Sequence, residues 1–243
     1  MLIEFFKNFF RVKPDLVEPK NMIVLMLLSL ISFSFIIYYI RKNPNIDKTK
    51  RALLVIFLID ICSRYTWYYL GKYSGLTESL PLYHCRVTAL LSVYYLLTSD
   101  RRVAPVIYVW GMFGGILALA HPAMDPFKFP HFSNVFFYFY HIAIMLASFV
   151  VFREHKDYIL KCKNGVRLFT AFFNLSLYVI NIGLNSNYGY MTKSPVLTDQ
   201  LSGMTFYFIF AICIYDLLVQ IIYKITNLKY GEGLDSEKVS IHD

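Results

Sequence analysis

The chain has 243 residues, of which 57% are hydrophobic, 18% aromatic and 16% charged, and it carries a formal net charge of +8. A soluble domain usually holds about 25% charged residues and cannot hide so much apolar surface at this length. Composition therefore excludes a disordered chain and a nucleic-acid-binding globule, argues against a soluble enzyme, and leaves a polytopic helical membrane protein.

The N-terminal segment, residues 1–21, opens Met-Leu-Ile-Glu-Phe-Phe-Lys-Asn-Phe-Phe-Arg. It is too short and too charged to span a bilayer and lacks a cleavage-site pattern, so it reads as an amphipathic helix lying on the membrane rather than a signal peptide. Seven apolar segments follow, at 22–40, 52–71, 80–98, 103–120, 133–152, 166–185 and 203–224. Each approaches the roughly 20 residues that a helix needs to cross a hydrocarbon core. The third and fourth are joined by the tight polar turn Ser99-Asp100-Arg101-Arg102. The expected fold is thus an all-α bundle of seven transmembrane helices over 22–224, followed by a polar cytoplasmic tail at 225–243.

Charge placement orients the bundle. The loops after spans one, three and five, with the C-terminal tail, hold 15 Lys and Arg; the N-terminal segment and the other loops hold seven. The positive-inside rule puts the N-terminus outside and the C-terminus in the cytoplasm. Alternating the spans then gives each residue a depth, at 1.5 Å of rise per residue. Arg64, the run His84-Cys85-Arg86, His121, His141, Asn181 and Asn185 all fall in the outer half, with Asn187 and Tyr188 in the loop beyond. Asp60 and Asp216 lie nearer the midplane.

Charges inside a membrane are costly unless paired or hydrated, and they tend to face the bundle interior. Asp60 and Arg64 share a helical face at i, i+4 and can pair; Arg64 and Arg86 can also snorkel. Asp216 reads as structural. Four cysteines, Cys62, Cys85, Cys162 and Cys213, lie far apart without a CxxC motif, and Cys62 and Cys213 read as packing residues in apolar runs. Cys85 differs, because it sits between His84 and Arg86 in a positive local field that favours thiolate. His141, at similar depth on another span, can serve as its base. His84 adjoins Cys85 in sequence, so it points about 100° away on a helix and is the poorer base. His121 and His131 read as interfacial, and His155 and His242 as solvated on the cytoplasmic side. The histidines show no metal-ligand spacing, so neither a metal nor another cofactor is expected.

Leu-Pro-Leu-Tyr-His-Cys at 80–85 is similar to the start of the third span in the bacterial YwaF-type integral membrane proteins. The run Gly111 to Pro122, with Gly114-Gly115 and Ala-His-Pro, resembles that family's glycine-rich span. Phe129-Pro130-His131-Phe132 before His141, and Asn187-Tyr188-Gly189-Tyr190-Met191 with Lys193 and Pro195, resemble its next two elements. One departure stands out: Tyr83 occupies the place of a family His, and a His occurs at 84 instead. The family is similar to the animal transmembrane protein 164, a phospholipid acyltransferase, and more remotely to the androgen-induced membrane hydrolases, which pair a Thr nucleophile with a His. The resemblance implies a Cys nucleophile at Cys85, a His base at His141, and a place in a bacterial plasma membrane.

Two functions follow. The first is a lipid acyltransferase or lipid-ester hydrolase acting on a membrane phospholipid or another acyl lipid through a thioester. Arg64, His84, Arg86, Asn181, Asn185, Asn187 and Tyr188 would then bind substrate. The alternative is a non-catalytic binder or transporter of an anionic lipid-like solute. Neither involves nucleic acid.

Overall fold

The computed structural model describes residues 2–13, 15, 45–71, 75–122, 124–128, 130–193 and 204–230, with scattered positions between 27 and 42. Among them the secondary structure is helical throughout, and no strand occurs. In chain order we name α1 (Leu2–Phe9), α2 (Ile46–Gly71), α3 (Gly75–Glu78), α4 (His84–Thr98), α5 (Ala104–Ala120), α6 (Phe132–Lys161), α7 (Lys163–Leu184) and α8 (Met204–Tyr230), with single 3-10 turns at Arg101–Val103 and Tyr188–Tyr190. Among the described residues, five helices are long and apolar enough to cross a membrane, matching the second, fourth, fifth, sixth and seventh predicted segments. Most of the first predicted segment and the tail from 231 lie outside the described residues.

The third predicted segment differs. Its helix starts only at His84 and runs 15 residues, about 22 Å at the α-helical rise. Pro81 explains the late start. It has no N–H to donate, and its ring steers Leu80 away from helical geometry. Tyr83 is extended (φ −73°, ψ 140°), and the Leu80 N–H is satisfied by the Tyr188 hydroxyl at 3.1 Å. Cys85 thus sits in the first turn of a helix, not one turn inside it as the segment 80–98 implied.

Helix α7 shows how the bundle faces its surroundings. Leu168, Phe172, Leu175, Val179 and Ile182 form an exposed stripe. Val166, Thr170, Asn174, Leu177 and Asn181 form the buried one. Both repeat at helical spacing, but the exposed stripe is wholly apolar while Thr170, Asn174 and Asn181 point in, as in a helix immersed in lipid. In α2, Leu53, Phe57 and Asp60 are buried while Val55, Ile56 and Ile59 are exposed. Cys62 and Cys213 are exposed too, which corrects their reading as packing residues: each is carried on the outward face of its helix.

α6 is buried along most of its length and forms the axis of the bundle. Its closest neighbour is α5, and glycine makes that approach possible. A Cβ at Gly111 would stand 2.1 Å from Ser148 Oγ and 2.8 Å from the Ile144 carbonyl. One at Gly115 would stand 2.2 Å from Met145 Cγ. This small-xxx-small pair lets the backbones touch. Polar links then fix the bundle: Ser148 Oγ donates to the Ile107 carbonyl at 2.8 Å, Trp110 Nε1 to Thr170 Oγ1 at 2.9 Å, and Tyr223 OH to the Ile159 carbonyl at 3.0 Å. Asp216, read as structural, is held by both Arg167 Nε (2.6 Å) and Nη2 (2.9 Å), a clamp between α7 and α8.

The loops behave as short satisfied turns. Ser99 takes the left-handed conformation, and Asp100 caps the following turn by accepting from the Arg102 N–H at 3.0 Å. The Arg102 guanidinium also holds the Asp100 carboxyl well below the usual carboxylate range. His155 is not simply solvated: its Nε2 lies 3.1 Å from the Tyr95 hydroxyl, at an irregularity in α6. At the opposite end of the bundle α1 exposes Leu2, Ile3, Phe5 and Phe6. The residues after it are strapped to the α5–α6 loop. Arg11 donates to the Lys128 and Pro130 carbonyls, Asp15 N–H to the Pro126 carbonyl, and His131 Nε2 to the Arg11 carbonyl.

Candidate active site

The ends of α2 and α5, the starts of α4 and α6 and the 3-10 turn at Tyr188–Tyr190 surround a cavity of about 530 Å³, an ordinary size for a ligand site. Arg64, His84, Cys85, Arg86 and His141 all line it. Helical spacing explains the α6 wall: Ser133, Phe137, Tyr140 and His141 fall on one face. The α5 wall is Phe113, Gly114, Leu117 and Ala118, again one face, and it is apolar. The cavity is therefore half charged and half greasy, the arrangement an amphiphile requires.

His141 is buried, and its Nδ1 lies 2.6 Å from the Phe137 carbonyl. A carbonyl only accepts, so Nδ1 carries the proton and Nε2 keeps a lone pair. That is the tautomer a general base needs. Cys85 enters from α4, in the first turn of the helix.

His84 takes a different part. Its Nε2 donates to Asn174 Oδ1 at 2.7 Å. Its ring stacks on Tyr215 at 4.3 Å and meets the edges of Trp110 and Phe173 at 4.8 and 5.2 Å. It is turned toward α5, α7 and α8, as its place beside Cys85 on a helix predicts.

The two arginines are held unlike each other. Arg64 Nη2 binds Asp60 Oδ1 at 2.9 Å, and Asp60 is 3% exposed. Arg86 has no carboxylate partner among the described residues; it donates to the Glu78 and Leu80 carbonyls and to the Tyr68 hydroxyl. Tyr83 lies beneath it, with the guanidinium 4.9 Å from the ring centre. Breaking a buried ion pair by removing one partner costs about 3–5 kcal/mol. Asp60→Ala is expected to lower thermal stability in detergent by an amount in that range, and Asp60→Leu with Arg64→Met is expected to recover most of it. Equal stability of the single variant and the parent in a melting experiment would show that the pair is not needed.

Four of the residues expected to bind substrate do not line the cavity. Asn181 Oδ1 accepts the Tyr188 N–H at 2.7 Å and its Nδ2 donates to the Tyr188 carbonyl at 2.9 Å. Asn187 Oδ1 accepts from the Thr192 and Lys193 N–H groups at 3.1 and 3.0 Å. Asn185 is the left-handed cap that ends α7. The Tyr188 hydroxyl donates to the Leu76 carbonyl at 2.6 Å. Their polar groups are spent on folding the loop that presents Gly189 and Tyr190 to the cavity. Conversely, Glu78, Asp125, Tyr140, Tyr190 and Tyr215 line it and were not singled out from the sequence. The aromatic ones are masked by the abundance of Tyr and Phe, and the acids come from the short helix α3 and the α5–α6 loop, which hydropathy does not place.

Gly114 faces open space, since a Cβ there meets nothing within 4 Å. Gly114→Leu is expected to fill the cavity without disturbing the helix contact made by Gly111. Binding of a long-chain fluorescent fatty-acyl lipid should weaken at least about tenfold, given roughly 0.8 kcal/mol per buried methylene displaced, with the melting temperature unchanged. Unaltered binding would place the acyl chain elsewhere.

These features define a helical integral membrane protein with a polar, cysteine-bearing cavity at one end of its bundle. The chain belongs to the TMEM164 family, whose family model matches residues 16–226. No curated protein and no solved structure matches it.

Proposed function

We propose that the protein is a lipid acyltransferase or lipid-ester hydrolase, with Cys85 as nucleophile and His141 as base. The observation that carries this reading is a single cavity lined by both Cys85 and a His141 whose Nε2 lone pair is left free by the Nδ1–H bond to Phe137. His141 takes the thiol proton, and the Cys85 sulfur attacks the ester carbonyl. The C–S bond forms, the carbonyl π pair moves to oxygen, and the tetrahedral species collapses by breaking the C–O bond. The His141 proton goes to the departing alkoxide, giving a lysolipid and a Cys85 thioester. Water or a second lipid alcohol then takes the acyl group by the reverse sequence. Arg86, with no carboxylate partner among the described residues, suits a headgroup phosphate, and the α5 wall suits an acyl chain. The bacterial plasma membrane is the compartment this reading assigns.

The experiment is to treat the purified protein in phosphatidylcholine vesicles with p-nitrophenyl octanoate and locate the acyl adduct by mass spectrometry. An octanoyl group on Cys85, lost in His141→Ala, is the expected result. Acylation spread over Cys62, Cys85, Cys162 and Cys213, or independent of His141, would favour a cavity that binds an anionic lipid-like solute without turning it over.

A further inference from the structure

A thiol that attacks an ester creates an oxyanion, and the groups placed near it by sequence depth, Asn181, Asn185, Asn187 and Tyr188, are turned to the loop. We infer that Tyr140 supplies the oxyanion's hydrogen bond, its phenolic O–H donating to the acyl oxygen as the Cys85–carbon bond forms. This deepens the acyl-transfer reading and rests on it.

Three observations converge on Tyr140. It lines the same cavity as Cys85 and His141. It is 4% exposed, yet its hydroxyl has no hydrogen-bond partner among the described residues. A buried phenol almost always finds a partner, because leaving one unsatisfied costs about 1–3 kcal/mol. An orphan donor in a cavity wall is therefore a group waiting for a ligand atom. Finally, Arg64, which lines the same cavity, packs its guanidinium against the Tyr140 ring.

The ring is also fixed in place. The Arg64 guanidinium sits 5.5 Å from its centre, and Asp60 holds that guanidinium in turn. The His141 ring meets it edge-on at 5.2 Å and 89°. Tyr140 and His141 are consecutive on α6, so they approach the reacting carbon from directions about 100° apart. One can handle the proton while the other meets the oxygen. A donor held rigid before the reaction stabilises developing charge without reorganising. In the balance of the step, Tyr140 keeps its proton throughout: it donates a hydrogen bond that strengthens as the carbonyl π pair moves to oxygen and relaxes when the C–O bond breaks.

The other orphaned groups do not compete. Asn174 Nδ2 belongs to a side chain already bound to His84 away from the thiol, and the Tyr65, Tyr138 and Asn134 groups do not line this cavity.

The test compares two reactions of Cys85 in the full-length protein in phosphatidylcholine vesicles. Acylation by p-nitrophenyl octanoate passes through an oxyanion; alkylation by iodoacetamide does not. Tyr140→Phe is expected to slow acylation about 100-fold, the usual effect of removing one oxyanion donor, while alkylation stays within twofold. If both rates fall together, Tyr140 acts on the thiol or on packing, and the inference is overturned. If acylation is unchanged while the parent protein still acylates at Cys85, the inference is overturned and the acyl-transfer reading stands. If the parent is not acylated at Cys85 at all, that reading fails and the inference with it. Should Tyr140→Phe not fold, 3-fluorotyrosine at 140, with its more acidic hydroxyl, keeps the ring: a changed acylation rate with unchanged alkylation is then required, and equal rates overturn the proposal.

Discussion

Cys85→Ala in the purified protein is expected to lower turnover of a phospholipid ester by at least about 10³-fold, because no second thiol lines the cavity to take its place. Cys85→Ser should lose nearly as much, since a hydroxyl is far less acidic than a thiol and a lone histidine activates it poorly. His141→Ala should cost about 10²–10⁴-fold, the usual range for removing a general base. The double variant should be no worse than the worse single one, because the two residues act on one step. Release of lysolipid from labelled phosphatidylcholine, followed by chromatography, measures all four. Full activity in the double variant would remove the catalytic assignment altogether. Affinity gives the complementary readout: a fluorescent lipid analogue should bind Cys85→Ala as it binds the parent, since the alanine takes away reactivity and little volume.

Gly111→Val is expected to be the most disruptive single change outside the site. The first added carbon already meets Ser148 Oγ at 2.1 Å and the Ile144 carbonyl at 2.8 Å, and the second of these is backbone that cannot rotate away. Overpacking a core typically costs about 1–3 kcal/mol. Here the cost should exceed that range, because α5 must move off α6 and break the 2.8 Å bond from Ser148 to Ile107. We expect the variant to fail extraction as a monodisperse species in gel filtration, or to melt more than about 6 °C lower, taking about 2–4 °C per kcal/mol for a chain of this length. A Gly111→Val protein that melts with the parent would mean that α5 and α6 are not in backbone contact. Gly114→Leu, three residues along on the cavity side, is the matched control.

These two outcomes probe features that were unequally visible in the sequence. The membrane bundle was legible because an apolar run of bilayer length is a signal with little competition. The Ser99–Arg102 turn was legible because Ser and Asp supply its left-handed corner and its cap. Counting depth also brought Arg64, Cys85, Arg86 and His141 to one end, since helical rise is nearly constant. What depth cannot supply is direction around the helix and the fate of each polar group. Asn181 and Asn187 share the cavity's depth, but their amides are consumed by the backbone of the turn they shape. Tyr140 was hidden in a run of Phe and Tyr in which only packing separates its unanswered hydroxyl, on a residue that lines the cavity, from that of Tyr138, which does not. The late start of α4 was written in Pro81, a local signal that a hydropathy window averages away.

The strap after α1 has a consequence for how the molecule is made. Arg11 is joined to Pro130 and its carbonyl to His131, 119 and 120 residues further along the chain, and the cavity wall is completed by Tyr215 on the last helix. The strap residues therefore wait for these partners until about 120 further residues have been made. Contacts of such sequence separation form slowly and late. Cys85 is likewise made well before Tyr215, so the cavity that both line closes only after α8 has packed against the rest of the bundle.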